Sequence, residues 1–195
     1  MISKLLTVKT GNKLSMQFGA SLLAMLMLIS VPAEAKTPKV SQILKNNGFQ
    51  TLLFALDTTE LTAVLDENTV ALFAPTDDVF EATAAALGCA DVEDLAERLF
   101  NIDVEGTDGL TYVLTYHAYL GKLTTEDRVL RAGEIQMVNG DTATTGVGQK
   151  GLNIKGDLNV TPSTITARFK ARRDSRVYAI DQILLPIDPT GICDS

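Results

Sequence analysis

Residues 71–80 constrain the fold of this chain more than any other segment. Their sequence is ALFAPTDDVF, in which an apolar run typical of a buried strand meets a proline. Because Pro75 has no N–H for a strand ladder, the strand is predicted to stop there. Thr76 can then cap a helix whose first turn carries Asp77 and Asp78, where carboxylates favour the helix dipole. The segment therefore predicts a strand, a sharp stop and a helix in immediate succession.

Two later segments extend this pattern. Residues 176–186, RVYAIDQILLP, form a second apolar run with one aspartate, Asp181, and a proline stop. We predict a strand over 177–185. Between the two runs, residues 114–117 are LTYH and contain His117, the only histidine. Their apolar residues continue a helical spacing that starts at Leu110, so the histidine is predicted to lie on a helix.

The first 35 residues have the pattern of a secretory signal. Lysines precede an uncharged apolar run over 18–31, and Ala33-Glu34-Ala35 then matches an A-x-A cleavage site. The run is shorter than the roughly 20 residues that span a bilayer, so cleavage after Ala35 is favoured over a retained amino-terminal anchor. We predict a signal peptide over 1–35 and one domain over 36–195, secreted or held in the periplasm or cell envelope.

Charge limits the partners of this domain. The chain has a formal net charge of -7, and residues 1–35 contain three lysines and one glutamate, so residues 36–195 carry -9. An acidic domain is disfavoured as a ligand of nucleic acid or of anionic membranes. We therefore expect no nucleic-acid partner. Because the sequence after residue 35 has no apolar run long enough to span a bilayer, we also expect no transmembrane span after removal of the signal peptide.

The two cysteines, Cys89 and Cys193, are an even number in a chain predicted to be exported, which favours a disulfide. A reactive thiol pair is the alternative, but the Cys-x-x-Cys spacing of such pairs is missing. A bridge would close a loop of about a hundred residues, worth roughly 4 to 5 kcal/mol in the chain-entropy model. We predict a structural disulfide.

Hydrophobic periodicity divides residues 36–195 into a helical first half and a strand-rich second half. Apolar residues recur at three- and four-residue intervals over 40–65 and 92–117, as in short amphipathic helices. From about residue 135 the period changes to two, with a tight hairpin predicted at Asn139-Gly140 and alternation over 165–171. Helices followed by antiparallel strands predict an α+β fold.

The three segments described first, in this order, resemble the two homology boxes and the intervening Tyr-His motif of the fasciclin domain. The resemblance covers about residues 38–187 and is that of a single-domain secreted protein of bacterial type. Tyr178 departs from it, since many relatives carry histidine there. It implies a compact wedge of helices packed on a bent, mainly antiparallel β-sheet. The motif residues to which it gives a structural role are Phe73, Pro75, Thr76, Asp77, Phe80, Ile180, Asp181 and Pro186.

Tyr116 and His117 match the Tyr-His pair of the family, which is linked both to domain integrity and to receptor adhesion. A lone histidine on an apolar helix face is more often a hydrogen-bonded core residue than a catalyst. We predict that His117 hydrogen-bonds the loop of the first box, near Thr76 or Asp77, and holds helix and sheet together. A receptor-binding role of the pair is the alternative.

Motifs for catalysis or metal binding are missing or incomplete. The sequence has no Gly-x-Ser-x-Gly, no His-Glu-x-x-His and no phosphate-binding loop, and one histidine would have to serve any triad. Residues 101–106, NIDVEG, resemble the opening of a calcium loop, but its twelfth position is Tyr112 instead of a bidentate glutamate. We therefore predict no enzyme, no cofactor and no metal site.

A cluster of cations departs from the acidic background. Over residues 167–172, cations alternate with alanine and phenylalanine, so on a strand the cations project from one face while the other residues point to the core. Such a face could hold an anionic polysaccharide or the acidic patch of a surface protein. A solvated face, or one paired with carboxylates of the same chain, is the alternative. The cations are Arg168, Lys170, Arg172, Arg173 and Arg176.

Together with the resemblance, these features predict an exported, non-enzymatic domain that mediates cell-surface or matrix adhesion through a protein or glycan partner. The second hypothesis is a periplasmic or secreted carrier of a small ligand, or an unrecognised enzyme. A buried pocket of a few hundred cubic ångström with convergent polar groups would favour it. A structural envelope protein that self-associates is the third hypothesis.

Overall fold

The computed structural model of the chain describes residues 36–123 and 125–193. The signal-peptide prediction over 1–35 lies outside these described residues. In the part that is described, every helix is too short or too polar to cross a membrane.

Helices form most of the first half of the described chain, as its periodicity predicts. Asp108 accepts a hydrogen bond from Thr111 N at 2.8 Å and thereby caps the helix that carries the Tyr-His pair. Gly88, with a φ of +79°, follows another helix in the left-handed conformation that glycine adopts without strain. The α-helices are α1 Val40–Asn46, α2 Gln50–Thr58, α3 Leu61–Glu67, α4 Asp77–Ala86, α5 Val92–Phe100, α6 Gly109–Tyr116 and α7 Glu126–Ala132.

Strands begin at the predicted apolar run and dominate the second half. They are β1 Val70–Pro75, β2 Asp103–Val104, β3 Thr107–Asp108, β4 Ala118–Leu120, β5 Glu134–Gln136, β6 Thr142–Gly148, β7 Gly151–Lys155, β8 Ser163–Lys170 and β9 Arg176–Ile180. Among the described residues, seven of them form one sheet in the order β4-β1-β9-β8-β7-β6-β5. β1 and β9 pair in parallel, with Ala74 opposite Ala179, and the other neighbours in this sheet are antiparallel.

The central pair β1 and β9 separates two hydrophobic cores. Leu72 and Ala74 of β1 belong to the first core, with buried residues of helices α1 to α6. Phe73 belongs to the second core, with buried residues of β5, β6 and β7. Because the far strands of the sheet pack against the face of its own central strands, the sheet is bent. The predicted α+β fold, with helices packed on a bent and mainly antiparallel sheet, is confirmed.

Two local predictions hold only in part. Thr76 is the N-cap residue of α4, as predicted, but it accepts the hydrogen bond of Phe80 N through its backbone oxygen, at 3.2 Å, and its hydroxyl caps no amide of the helix. Strand β9 ends at Ile180, earlier than predicted. The carboxylate of Asp181 accepts a hydrogen bond from Thr164 N at 2.6 Å. The amides of Gln182, Leu184 and Leu185 bond to side chains instead of to a strand.

The predicted disulfide is confirmed. Cys89, between α4 and α5, is bonded to Cys193, which lies 104 residues later. Beside the bridge, the backbone oxygen of Ile192 accepts a hydrogen bond from Arg98 of α5 at 3.5 Å. The bridge therefore fastens residues 183–193, called the C-terminal segment below, to the helices. Disulfides persist in oxidising compartments, which agrees with the predicted export.

Candidate functional site

Helix α6 carries the Tyr-His pair into the middle of the fold. The helix ends at Tyr116, and His117 is its carboxy-terminal cap. Tyr116 is 0% exposed and His117 is 2% exposed. Neither ring offers a surface to an external partner in this conformation.

Both ring nitrogens of His117 are used inside the fold. Nδ1 lies 2.7 Å from the backbone oxygen of Val113, which can only accept, so Nδ1 carries the proton. Nε2 accepts a hydrogen bond from Leu184 N at 2.9 Å, and the backbone oxygen of His117 accepts one from Phe73 N at 2.8 Å. Burial lowers the pKa of His117 to about 4, so the ring is neutral.

The predicted side-chain hydrogen bond from His117 to the loop of the first box, near Thr76 or Asp77, is therefore wrong. The backbone oxygen of His117, and not its ring, bonds to that box, at Phe73. The imidazole instead connects α6 to the segment that follows β9, through Leu184. The broader prediction that this histidine holds helix and sheet together agrees with the bonds that it makes to β1 and to the end of the second box.

Tyr116 forms a second connection, on the other side of the sheet. Its hydroxyl donates to the backbone oxygen of Thr142 at 2.6 Å and accepts from Asp157 N at 2.8 Å. Burial raises the pKa of Tyr116 above its ordinary value. The hydroxyl thus joins α6 to β6 and to the turn after β7, and it has no chemistry to offer a substrate.

The aspartates of the two boxes have comparable roles. The carboxylate of Asp77 accepts hydrogen bonds from Thr51 N at 2.8 Å and Gln50 N at 3.1 Å, in the first turn of α2. This caps a helix distant in sequence, whereas we predicted only an interaction with its own helix dipole. Asp181 accepts from Ser163 Oγ at 3.2 Å as well as from the neighbouring strand amide.

Other residues of the boxes pack in the cores. The rings of Phe73 and Tyr178 stack with centroids 5.4 Å apart, and the hydroxyl of Tyr178 donates to the backbone oxygen of Leu123. Ile180 is buried in the second core. The structure assigns these motif residues to packing. Pro75 and Phe80 border a cleft described below, and Pro186 is half-buried beside it.

The cations of β8 alternate as predicted. Arg168 and Lys170 are exposed, while the residues between and beside them are partly or fully buried. Lys170 stands opposite Arg176 of β9, and residues opposite each other share a face of the sheet. After β8 the chain enters a 3₁₀ turn, Arg172–Asp174, which exposes Arg172 and Arg173. The sequence prediction of one continuous strand face therefore holds to residue 170, where the turn takes over.

Asp174 brings further cations together. Its carboxylate lies 3.0 Å from Nζ of Lys122, an ion pair between two exposed side chains. The Lys122 ammonium holds the pKa of Asp174 below its usual value, and Lys170 and Arg176 lower it further. Lys122 also borders a shallow depression with Arg128 and Arg131 of α7. Sequence reasoning missed these three cations, because each stands alone in a segment far from β8.

We call these cations the basic surface. Three of the 17 lysines and arginines precede residue 36, and eight of the remaining fourteen belong to this surface. The charge of this surface is therefore opposite in sign to the net charge of the domain. Its members are Lys122, Arg128, Arg131, Arg168, Lys170, Arg172, Arg173 and Arg176.

A cleft of about 360 Å³ lies on the helical side of the molecule. Helices α2, α4, α5 and α6 and the C-terminal segment line it, and His117 is part of its wall. Sequence reasoning did not find the cleft, since its walls come from separate segments that each look like ordinary core. Apolar wall residues include Leu52, Leu95, Leu99, Val113, Ile187 and Ile192.

The sequence model of the fasciclin domain matches residues 47–186. The chain belongs to the fasciclin domain family. Fasciclin domains are known as adhesion-related modules, and the resemblance seen in the sequence is confirmed. Protein sll1483 of Synechocystis sp. is similar to this fasciclin domain protein, with 29% identity over 162 residues, which cover 80% of either chain.

The fold is similar to a solved structure described as a FAS1 domain pair from the insect cell adhesion molecule Fasciclin I. The TM-score is 0.51 and the sequence identity is 14%. The likeness covers 72% of this chain and 46% of that chain, so this fasciclin domain protein spans about half the length of the domain pair. At this identity, the comparison supports the fold alone.

Polar groups elsewhere in this fasciclin domain are used by the fold. Asp103 and Asp108, in the segment that resembles a calcium loop, flank the β2-β3 hairpin, and Asp103 accepts a hydrogen bond from Gly106 N at 3.2 Å. Tyr112 donates to the carboxylate of Asp141 at 2.9 Å, which raises the pKa of Tyr112 to about 12. These hydrogen bonds show that the polar residues of this segment have structural roles in the fold.

One cluster of potential metal ligands occurs among the described residues, formed by Cys89, Asp94 and Cys193. The two cysteines are joined in the disulfide, so their sulfurs are not thiolates. Asp94 pairs with Arg98 at 2.7 Å. The cluster is the structural bridge with a neighbouring ion pair.

Proposed function

We propose that this protein is an exported, non-enzymatic adhesion module that binds an anionic polysaccharide through its basic surface. The carrying observation is the concentration of cations on one surface of a domain whose net charge is -9 after residue 35. Family membership supports an adhesion role, and the chemistry of the surface supports an anionic partner.

The arrangement of the cations favours a linear polyanion over a single small anion. Alternate residues of a strand lie about 7 Å apart, so Arg168 and Lys170 form a row rather than a point. The turn with Arg172 and Arg173 extends the row at one end. Guanidinium and ammonium groups spaced in this way suit repeated anionic groups along a polysaccharide, each contact being weak on its own.

Export completes the proposal, because the partner is a surface or matrix component. The predicted cleavage after Ala35 and the disulfide both suit a secreted or periplasmic protein. Mass spectrometry of the protein recovered from the periplasm or medium should give a mature chain that starts at Lys36. Recovery of the uncleaved chain in the membrane fraction would contradict a released module.

The binding proposal is tested with polygalacturonate and dextran sulfate beads, with uncharged dextran as the blank. The variant Lys170→Gln/Arg172→Gln/Arg173→Gln should bind about tenfold more weakly, because an exposed ionic contact contributes about 0.5 kcal/mol. Retention should fall as salt rises from about 0.05 to 0.3 M, since screening shortens the reach of exposed charges.

A matched control removes the same charge elsewhere. Lys45→Gln/Lys150→Gln/Lys155→Gln lowers the net charge equally but leaves the basic surface intact, so binding should stay within about twofold of wild type. Equal loss in both triple variants would show a general charge effect and overturn the proposal. Stronger retention on immobilised DNA, or on an acidic protein, than on either polysaccharide would overturn the choice of partner.

A further inference from the structure

The residues that line the cleft suit an apolar ligand better than a polar one. His117 uses both ring nitrogens inside the fold, as described above. Thr83, another polar wall residue, donates its hydroxyl to the backbone oxygen of Val79 at 2.7 Å. A ligand with several hydrogen-bonding groups would lose its water in the cleft without replacement partners at these positions, which costs free energy. The wall thus suits a molecule that is mainly apolar.

The mouth of the cleft adds a charge preference. Glu81 of α4 and Glu93 of α5 line it and are exposed, so their carboxylates stand where a ligand enters. Like charges repel at such a site, which disfavours fatty acids and other anionic amphiphiles. Phe54 of α2 is 67% exposed at the same rim and offers an aromatic surface to an entering apolar group.

We propose that the cleft binds a mainly apolar small molecule that carries no negative charge. Its volume of about 360 Å³ lies within the roughly 300–1,000 Å³ typical of small-molecule sites. This activity goes beyond adhesion and uses another part of the molecule. Arg168 shares a sheet face with Tyr178, which belongs to the second core, whereas the buried cleft wall belongs to the first core.

The disulfide holds one wall of this site in place. Ile187 and Ile192 of the C-terminal segment line the cleft, and the bond between Cys89 and Cys193 ties that segment to the helices on the opposite wall. When a dithiol reductant breaks the bond, two thiols form and the dithiol becomes a disulfide, and the wall loses its covalent attachment. Ligand affinity should therefore fall in the reduced protein.

The experiment is a titration of the purified protein with N-phenyl-1-naphthylamine, an uncharged apolar dye that fluoresces when it leaves water. Saturable binding of one dye per protein is expected. The variant Ala96→Leu fills the cleft from α5 and should weaken binding about tenfold. Ala82→Leu, the same change at an exposed position of α4 outside the cleft, should leave binding unchanged.

Charge selectivity supplies a second measurement. Anilinonaphthalene sulfonate, an anionic relative of the dye, should bind wild type about tenfold more weakly than the uncharged dye does. Glu81→Gln/Glu93→Gln should reduce this gap, because the repelling carboxylates are gone. Urea unfolding of every variant separates loss of binding from loss of folding.

Several results would overturn the proposal. Equal dye binding in Ala96→Leu and in wild type would place the dye outside the cleft. Tighter binding of the anionic dye than of the uncharged one would contradict the charge argument. A dimer in sedimentation that Phe54→Ser dissociates, with no saturable dye binding by the monomer, would show that the cleft is a contact between two copies.

Discussion

The buried imidazole of His117 should make the stability of the fold depend on pH between about 4 and 6.5. Burial lowers the pKa of His117 from 6.5 to about 4 in the native state, while the unfolded chain regains the ordinary value. In this window the unfolded state binds more protons than the native state. The stabilisation is therefore fully present above 6.5 and is lost as the pH falls through about 4.

The size of the effect follows from the two pKa values. At 1.36 kcal/mol per pKa unit, the whole window is worth about 3 kcal/mol in the free energy of unfolding. At pH about 5, some 2 kcal/mol should already be lost relative to pH about 8. His117 is the only histidine in the sequence, so no other imidazole titrates in this range.

The measurement is urea unfolding followed by circular dichroism at several pH values between about 5 and 8. The control variant is His117→Gln, whose amide can still accept from Leu184 N but does not titrate. The variant should be less stable than wild type at pH 8, because it fits the site less well. Its stability should change much less than that of wild type between pH 8 and pH 5.

Equal loss of stability in wild type and His117→Gln would refute the reasoning. The acid sensitivity would then come from carboxylates, and the ring would not be held neutral by burial. An unchanged melting point in His117→Ala would contradict the structural role itself, because that change leaves Leu184 N and the oxygen of Val113 without their partner.

Three further changes test the bonds that hold the fold together. Replacing Cys89 and Cys193 by serine should lower the free energy of unfolding by about 4 to 5 kcal/mol, as measured in urea, because the bridge closes a loop of 104 residues. Asp77→Ala should cost about 1 kcal/mol in the same assay, since two amides of α2 lose their cap. Tyr116→Phe should cost about 1–3 kcal/mol of stability, measured by thermal unfolding, because it removes two part-buried hydrogen bonds to the backbone oxygen of Thr142 and to Asp157 N.

Each of these changes has a comparison that can contradict it. Wild type treated with reductant should unfold at the same urea concentration as the cysteine variant. If untreated wild type also unfolds at that concentration, the bridge adds nothing to stability. Asp78→Ala removes an exposed carboxylate from the same helical turn, so a loss equal to that of Asp77→Ala would reduce the cap to a dipole effect. An unchanged melting temperature for Tyr116→Phe would mean that water replaces the hydroxyl.

Local chemistry made the elements of the fold predictable. Pro75 ends β1 because it cannot continue a ladder, and the alternation over 165–171 appears as β8. Short strands were harder to predict from the sequence. Strand β7 has two buried apolar residues, Leu152 and Ile154, and β4 has three residues in all. Such segments contain too few residues to show a period.

The sites depend on contacts between distant segments, which the sequence did not reveal. The ring of His117 was predicted to bond the loop of the first box, but the parallel register of β1 with β9 brings Leu184 to the imidazole. Likewise, Lys122 meets Asp174 across 52 positions. Residue type identified the members of the basic surface on β8, whereas only tertiary structure could add those on α7.

We expect the basic surface and the cleft to bind their ligands independently. The end of α6 is the segment through which any coupling between them would pass. Arg168 projects from the face of the sheet that bears the second core, and the buried cleft wall belongs to the first. Tyr116 reaches the second core and the adjacent His117 borders the cleft, so the end of α6 contacts both sides. When a cleft substitution and a basic-surface substitution are combined, their effects on the free energies of dye binding and polysaccharide binding should therefore add. Non-additivity that disappears in Tyr116→Phe would locate a coupling in this turn, whereas coupling that survives it would require another path.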